Sequence, residues 1–259
     1  MRVVYMAKSK RSAARGLAWL VERGCEVPAV VASEPDEWTT SEQRVDLVAR
    51  DHGLPLLGEE ELYAAASAGD LGDVDLVISF LFWNRIREPL ISLGRIGCLN
   101  LHPAPLPDFR GVGGYNVALL EGLPRWGVSC HFVDESLDTG DLVEVERFEI
   151  DPDRETALSL DVKSQERLLG LFQRVVERAI AGEELPREPQ GDGRYVSLAE
   201  LEEMRLVREG DDVERKLRAF WYPPWPGAVV EIDGRRLTLV DEALLSELAR
   251  TYRESGTVP

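Results

Sequence analysis

The first hundred residues alternate between short apolar runs and amphipathic stretches, and this alternation limits the fold more than any other feature. The runs are RVVYM (2–6), VPAVVAS (27–33), LPLL (54–57), VDLVISFLF (74–82) and IGCLNLHP (96–103). Between them lie SAARGLAWLVERG, SEQRVDLVARDHG, EEELYAAASAG and the short EPLISLG, with apolar residues at helical spacing. Strands separated by helices need crossover connections, which build a parallel sheet covered on both faces.

After this region GYNVALLEG reads as a helix, and WGVSCHFVDE (126–135) and DLVEVERFEI (141–150) as strands joined by SLDTG. From Glu155 to Glu184, Leu168, Leu169, Phe172, Val175, Val176 and Ile180 recur at helical spacing, which predicts a long helix on the sheet. LPREPQGDGRY reads as a linker. The rest holds a helix around 211–219, the aromatic loop FWYPPWPG, a hairpin turning at Asp233-Gly234 and an acidic tail. The expected architecture is α/β: a Rossmann-like, doubly wound, mostly parallel sheet over residues 1–184. A linker and a small hairpin-containing C-terminal subdomain would occupy 185–259.

Charge and cysteine usage narrow the function classes. No apolar run approaches the ~18 residues a membrane span needs, so no membrane partner is expected. Cys25, Cys98 and Cys130 lack metal-ligand spacing and read as reduced core thiols, with no metal implied. The N-terminus begins with a strand and only then turns basic, unlike a signal peptide, so a cytoplasmic location is expected. The formal net charge of −17 repels phosphate backbones, which disfavours nucleic acid as a partner. A local basic patch at Lys8, Lys10, Arg11 and Arg15 reads as a solvated helix start.

The stretch LNLHPAPLPDFRGVGGYN (99–116) carries the chemistry. Side chains alternate along a strand, so Asn100 and His102 share one face, and Pro103, Pro105 and Pro107 end the strand just beyond. Ligands of parallel sheets bind past the carboxyl ends of strands, where His102 falls. An amide N–H₂ can hold a developing oxyanion and an imidazole can move a proton, a pairing suited to acyl transfer. Downstream, Asp134, Asp138 and Asp141 lie in a turn that Gly140 lets reverse sharply, and a carboxylate from it could meet His102.

Together Asn100, His102, Pro107, Arg110-Gly111 and the Leu-Asp-Thr-Gly turn with Asp138 resemble the folate-dependent formyltransferases over roughly residues 1–180, with a looser likeness beyond. The spacing from His102 to Asp138 (138 − 102 = 36 positions) is similar to the family's. PAPLP departs from the Ser-Leu-Leu-Pro of many members while keeping the loop register. The resemblance implies formyl transfer from N10-formyltetrahydrofolate to a primary amine. Asn100 would help hold the oxyanion, His102 would assist proton movement, and Asp138 would tune His102 and order a water. Trp83, Asn84, Ile86, Val133 and Asp134 would line the pterin pocket. His131 also fits the family but reads as structural, and His52 as a surface residue.

For the amine, the resemblance leads to small-molecule substrates, first a nucleotide-linked amino sugar. Lys8, Ser9 and Lys10 would reach a pyrophosphate, and Arg110, Tyr115 and Asn116, beside the catalytic loop, are further candidates for substrate contact. Trp221, Tyr222 and Trp225 would either stack on the nucleotide or fill a small core under the hairpin. The C-terminal third is similar to the start of the extension in both sugar N-formyltransferases and methionyl-tRNA formyltransferases. One hairpin and a tail are too little for the tRNA enzyme's barrel. From Met204 on, nine Lys and Arg face ten Asp and Glu, a poor surface for tRNA. A methionyl-tRNA formyltransferase-like enzyme and a catalytically silent nucleotide-binding regulator stand as alternatives. The intact Asn100, His102 and Asp138 speak against the regulator. Glycinamide ribonucleotide formylation is disfavoured because MAKSKRS has no glycine, and GVGG lies too late in the chain for a dinucleotide fingerprint. The apolar hairpin would suit a homodimer surface.

Overall fold

A computed structural model describes residues 1–255. In chain order the elements are β1 (Arg2–Ala7), α1 (Arg11–Glu22), β2 (Glu26–Ala32), α2 (Val45–Asp51), α3 (Glu59–Ala68), β3 (Leu76–Phe80), α4 (Leu90–Leu93) and β4 (Gly97–His102). Then follow β5 (Phe109–Gly111), α5 (Gly114–Leu120), β6 (Arg125–Phe132), β7 (Leu142–Glu149), α6 (Ala157–Ile180), β8 (Arg194–Val196), α7 (Leu198–Met204), α8 (Val213–Phe220), β9 (Val229–Ile232), β10 (Arg235–Thr238) and α9 (Glu242–Ser255). No helix of the described residues is long and apolar enough to cross a membrane.

The described residues form two compact units: 1–108, 127–146 and 165–193 in the first, and 109–126, 147–164 and 194–255 in the second. Each is assembled from three stretches, whereas the sequence alone suggests a single division after residue 184.

The first unit holds a six-stranded sheet in the order β2-β1-β3-β4-β6-β7. Strands β1 to β4 are parallel, and β6 joins β4 antiparallel. The order reverses at β1: the chain builds outward to β2, then restarts on the other side with β3, a topological switch point of the kind that places ligands at strand carboxyl ends. On one face Tyr5 and Phe80 pack edge-on against Phe172 of α6, with Trp19 of α1 behind it, at ring separations of 5.5–6.4 Å. On the other face Val4, Val77 and Cys98 align in one row over a core that includes Leu62, Ala66 and Leu90. One step toward the carboxyl ends, the row becomes Met6, Ser79, Asn100 and His131. The core face therefore turns polar where the site begins.

Two sequence expectations need correction. LPLL is not a strand: Pro55 lacks a donor, and only Leu56 forms an isolated parallel bridge, with Val30. LPREPQGDGRY is not a free linker either. Glu188 exchanges hydrogen bonds with Leu142, the Arg187 guanidinium lies 3.4 Å from the Phe132 ring centroid, and a Cβ on Gly193 would stand 1.8 Å from the Pro107 carbonyl oxygen.

The second unit contains two small sheets, β5 with β8 in parallel and the antiparallel hairpin β9–β10 turning at Asp233-Gly234. Its helices are tied by polar side chains. Tyr222 and Tyr115 both donate to the buried Asp161 carboxylate, at 2.5 and 3.2 Å, and the Asn116 amide donates to the Ala219 carbonyl at 2.7 Å.

Candidate active site

His102 ends β4, and the Pro-rich segment after it is fastened by one buried side chain. The Ser129 hydroxyl, directly across from His102 on β6, donates to the Ala104 carbonyl at 2.7 Å and accepts from the Leu106 N–H at 2.9 Å. Asn100, two residues earlier and on the same face, is half-buried, with Ser79 on one side and His131 on the other. The Ser79 hydroxyl donates to the amide oxygen at 2.6 Å, and the amide nitrogen lies 3.1 Å from His131 Nε2.

Asp138 comes from the loop between β6 and β7. The loop is closed by the Phe132 N–H donating to Asp141 and by the Gln190 side chain donating to the Gly140 carbonyl. Asp134 braces it from within, accepting from the Ser136 N–H at 3.0 Å and the Thr139 hydroxyl at 2.8 Å. At Asp138 the backbone turns left-handed, with φ of 55°. Gly140 is needed for a reason other than backbone freedom: a Cβ there would stand 2.0 Å from the Phe132 carbonyl oxygen.

So held, Asp138 Oδ1 lies 3.7 Å from His102 Nδ1, 3.6 Å from His131 Nε2 and 3.5 Å from Asn100 Nδ2. The side chains of His102 and Asp138 are only 9% and 10% exposed. The Asp138 carboxylate thus comes within 3.7 Å of both Asn100 and His102. Sequence reasoning set His131 aside as structural and passed over Ser79, yet both belong to the same cluster. The signal for Ser79 was one hydroxyl inside an otherwise apolar run.

The other candidates fall into three groups. Trp83, 47% exposed, stacks obliquely on Phe82, and the Asn84 amide donates to Glu59 at 2.5 Å. Ile86 is a core residue, and Val133 packs on the same core while its N–H donates to the Cys98 carbonyl. Past β1, Lys8 is exposed, Lys10 precedes α1, and Ser9 is tied to the end of β2, its N–H donating to the Ser33 hydroxyl and its hydroxyl to the Ser33 carbonyl. Arg110 on β5, Tyr115 and Asn116 belong to the second unit, where the Tyr115 hydroxyl donates to Asp161 and the Asn116 amide nitrogen to the Ala219 carbonyl. Of the loop aromatics Trp221 is buried and Trp225 is 60% exposed.

The cysteines offer no alternative nucleophile, since burial pushes all three thiols up. Among the described residues, no group of three His, Cys, Asp or Glu side chains is placed to hold a metal.

An amide donor, an imidazole and a carboxylate thus lie together at the carboxyl end of β4, groups of the kinds acyl transfer can use. The formyl transferase family matches residues 23–176. The methionyl-tRNA formyltransferase of Geobacter sulfurreducens is 30% identical over 258 residues, covering 95% of this chain and 80% of the relative. That of Myxococcus xanthus is 30% identical over 246 residues, 91% and 77% of the two. Among solved structures, a 4-N formyltransferase from Francisella tularensis superposes with a TM-score of 0.74 at 18% identity, covering 93% of this chain and 97% of that one. An N-formyltransferase from Helicobacter canadensis, in complex with folinic acid and dTDP-3-aminofucose, gives 0.71 at 18% identity, over 93% and 89%. The chain belongs to the folate-dependent formyltransferase family and is a formyl-transferring enzyme.

Proposed function

We propose that the enzyme moves a formyl group from N10-formyltetrahydrofolate onto the primary amine of a nucleotide-linked amino sugar. The observation that carries the chemistry is the convergence of Asn100, His102 and Asp138 in one largely buried cluster at the carboxyl end of β4. Transfer to an amine asks for a donor where the carbonyl oxygen gains charge, and for a group that moves the amine proton. In this reading the Asn100 amide faces that oxygen, and His102 takes the proton from the attacking nitrogen and returns it to the leaving one. Asp138 stabilises the imidazolium. At 3.7 Å from His102 Nδ1, Asp138 Oδ1 is near enough to favour the charged ring electrostatically.

The folate ring would meet the segment around the exposed Trp83 indole and the turn at Val133–Asp134. Asn84, Ile86, Val133 and Asp134 would act by holding those walls in place. Lys8 and Lys10, at the switch point with Ser9 between them, would receive the phosphates of the nucleotide. The net charge of −17 supports a small anionic substrate over a polyanion, because long-range repulsion grows with the number of phosphates engaged.

A second reading, transfer to methionyl-tRNA, is favoured by the 30% identical relatives aligned over nearly the whole chain. One experiment separates the two. Purified enzyme and N10-formyltetrahydrofolate are offered a panel of nucleotide-linked amino sugars and, separately, methionyl-tRNA, and products are read by mass spectrometry. Gain of one formyl group on a sugar panel member supports the first reading. Formylation of methionyl-tRNA alone replaces it with the second, and formylation of neither overturns both.

A further inference from the structure

We infer that His131 is a positioning residue for formyl transfer, acting through Asn100; the inference rests on the role proposed above for Asn100. The reasoning starts at a backbone carbonyl. His131 Nδ1 lies 2.7 Å from the Phe132 oxygen, and a carbonyl can only accept, so Nδ1 carries the hydrogen. In the neutral ring Nε2 is then an acceptor, which fixes what can face it. The Asn100 atom 3.1 Å away must be its N–H₂. The amide oxygen consequently points the other way, to Ser79, whose hydroxyl donates at 2.6 Å. One carbonyl thus sets the polarity of three side chains in series across three strands.

The arrangement matters because an amide is nearly symmetric in shape. Rotated by a half turn, Asn100 would present an oxygen where the reaction needs a hydrogen. His131 is 2% exposed and Ser79 likewise, so water does not compete for these contacts. The second amide hydrogen of Asn100 makes only a long bond, to Asp138 Oδ1 at 3.5 Å, and this is the one a substrate oxygen would take over.

The test is a double-mutant cycle with His131→Leu, Asn100→Ala and the pair, read as kcat and KM for both substrates. Expected is a loss of about tenfold in kcat for His131→Leu with KM little changed, a larger loss for Asn100→Ala, and a further loss under about threefold when His131→Leu is added to Asn100→Ala. Equal losses from His131→Leu in both backgrounds, or wild-type kcat in the single variant, overturn the inference. Wild-type kcat in Asn100→Ala instead removes the underlying role of Asn100. Should the leucine variant not fold, the ring nitrogens of the unaltered enzyme decide by NMR. An Nδ1–H tautomer for His131 is expected, and an Nε2–H tautomer overturns the inference.

Discussion

Ser79 and Asn100 stand side by side on adjacent parallel strands, and the serine hydroxyl donates to the asparagine amide oxygen at 2.6 Å. Ser79 is buried and half-buried Asn100 faces the site, so the bond links the packed sheet to the proposed chemistry. Replacing Ser79 by alanine leaves the amide oxygen without its donor and frees the amide to rotate. The expected outcome for Ser79→Ala is a several-fold fall in kcat with a stability loss of about 1 kcal/mol, measured by steady-state kinetics and urea unfolding. Unchanged kcat together with the stability loss would make the serine purely structural.

His102 and Asp138 call for different substitutions. His102→Ala should lower turnover at least ~10²-fold, the scale of a positioned proton-transfer group. At Asp138 alanine would confound two effects, because the backbone there is left-handed at φ 55°. Asn tolerates that conformation, so Asp138→Asn removes the charge and keeps the turn. It should also lose at least ~10²-fold in kcat, with a melting temperature close to wild type. Near-normal turnover in either variant would remove that residue from the mechanism.

How far the sequence reveals this site depends on which kind of neighbour a residue has. Asn100 and His102 are legible because a period of two along one strand puts them on one face. Asp138 is legible only through its Leu-Asp-Thr-Gly turn, since nothing local says that the turn folds back over β4. Ser79 and His131 join the cluster through strand register, Ser79 to Asn100 to His131, and register is a tertiary fact. The same limit explains β5 and β8, three-residue strands that pair across distant stretches and carry no periodicity of their own. At Tyr115 and Asn116 the sequence likewise leaves partners unread: the hydroxyl donates to Asp161 and the amide nitrogen to the Ala219 carbonyl, both brought in from distant stretches. The main sheet is legible because its buried strands are long, β-branched and separated by amphipathic helices.

Gly140 tests whether the loop carrying Asp138 depends on close packing. A methyl group there would overlap the carbonyl oxygen and carbon of Phe132, which are backbone and cannot step aside. Gly140→Ala should therefore displace the loop, costing more than about 2 kcal/mol in stability and most of the turnover. Unfolding curves and kcat measured together check this. A variant as stable and active as wild type would mean that the loop has room the geometry denies.

Stability at alkaline pH should report two tyrosines, Tyr5 and Tyr115. Tyr5 is fully buried and donates to the Ala13 carbonyl at 2.7 Å, and burial holds its pKa well above the usual 10. Tyr115 is raised as well, by burial first and then by the nearby Asp161 charge. In the unfolded chain both hydroxyls titrate near 10. Above that pH the unfolded state binds fewer protons than the folded one, so the sign is fixed. The stabilisation is complete below about pH 10 and is lost as pH climbs toward the folded-state values, by up to about 1.4 kcal/mol per pH unit for each tyrosine. Tyr5→Phe removes one of these titrations at the expense of a hydrogen bond. It should be less stable than wild type at pH 8, with the difference narrowing between pH 10 and 11 in urea unfolding. A difference that stays constant over that range would show that the Tyr5 hydroxyl ionises in the folded enzyme as readily as in the unfolded chain.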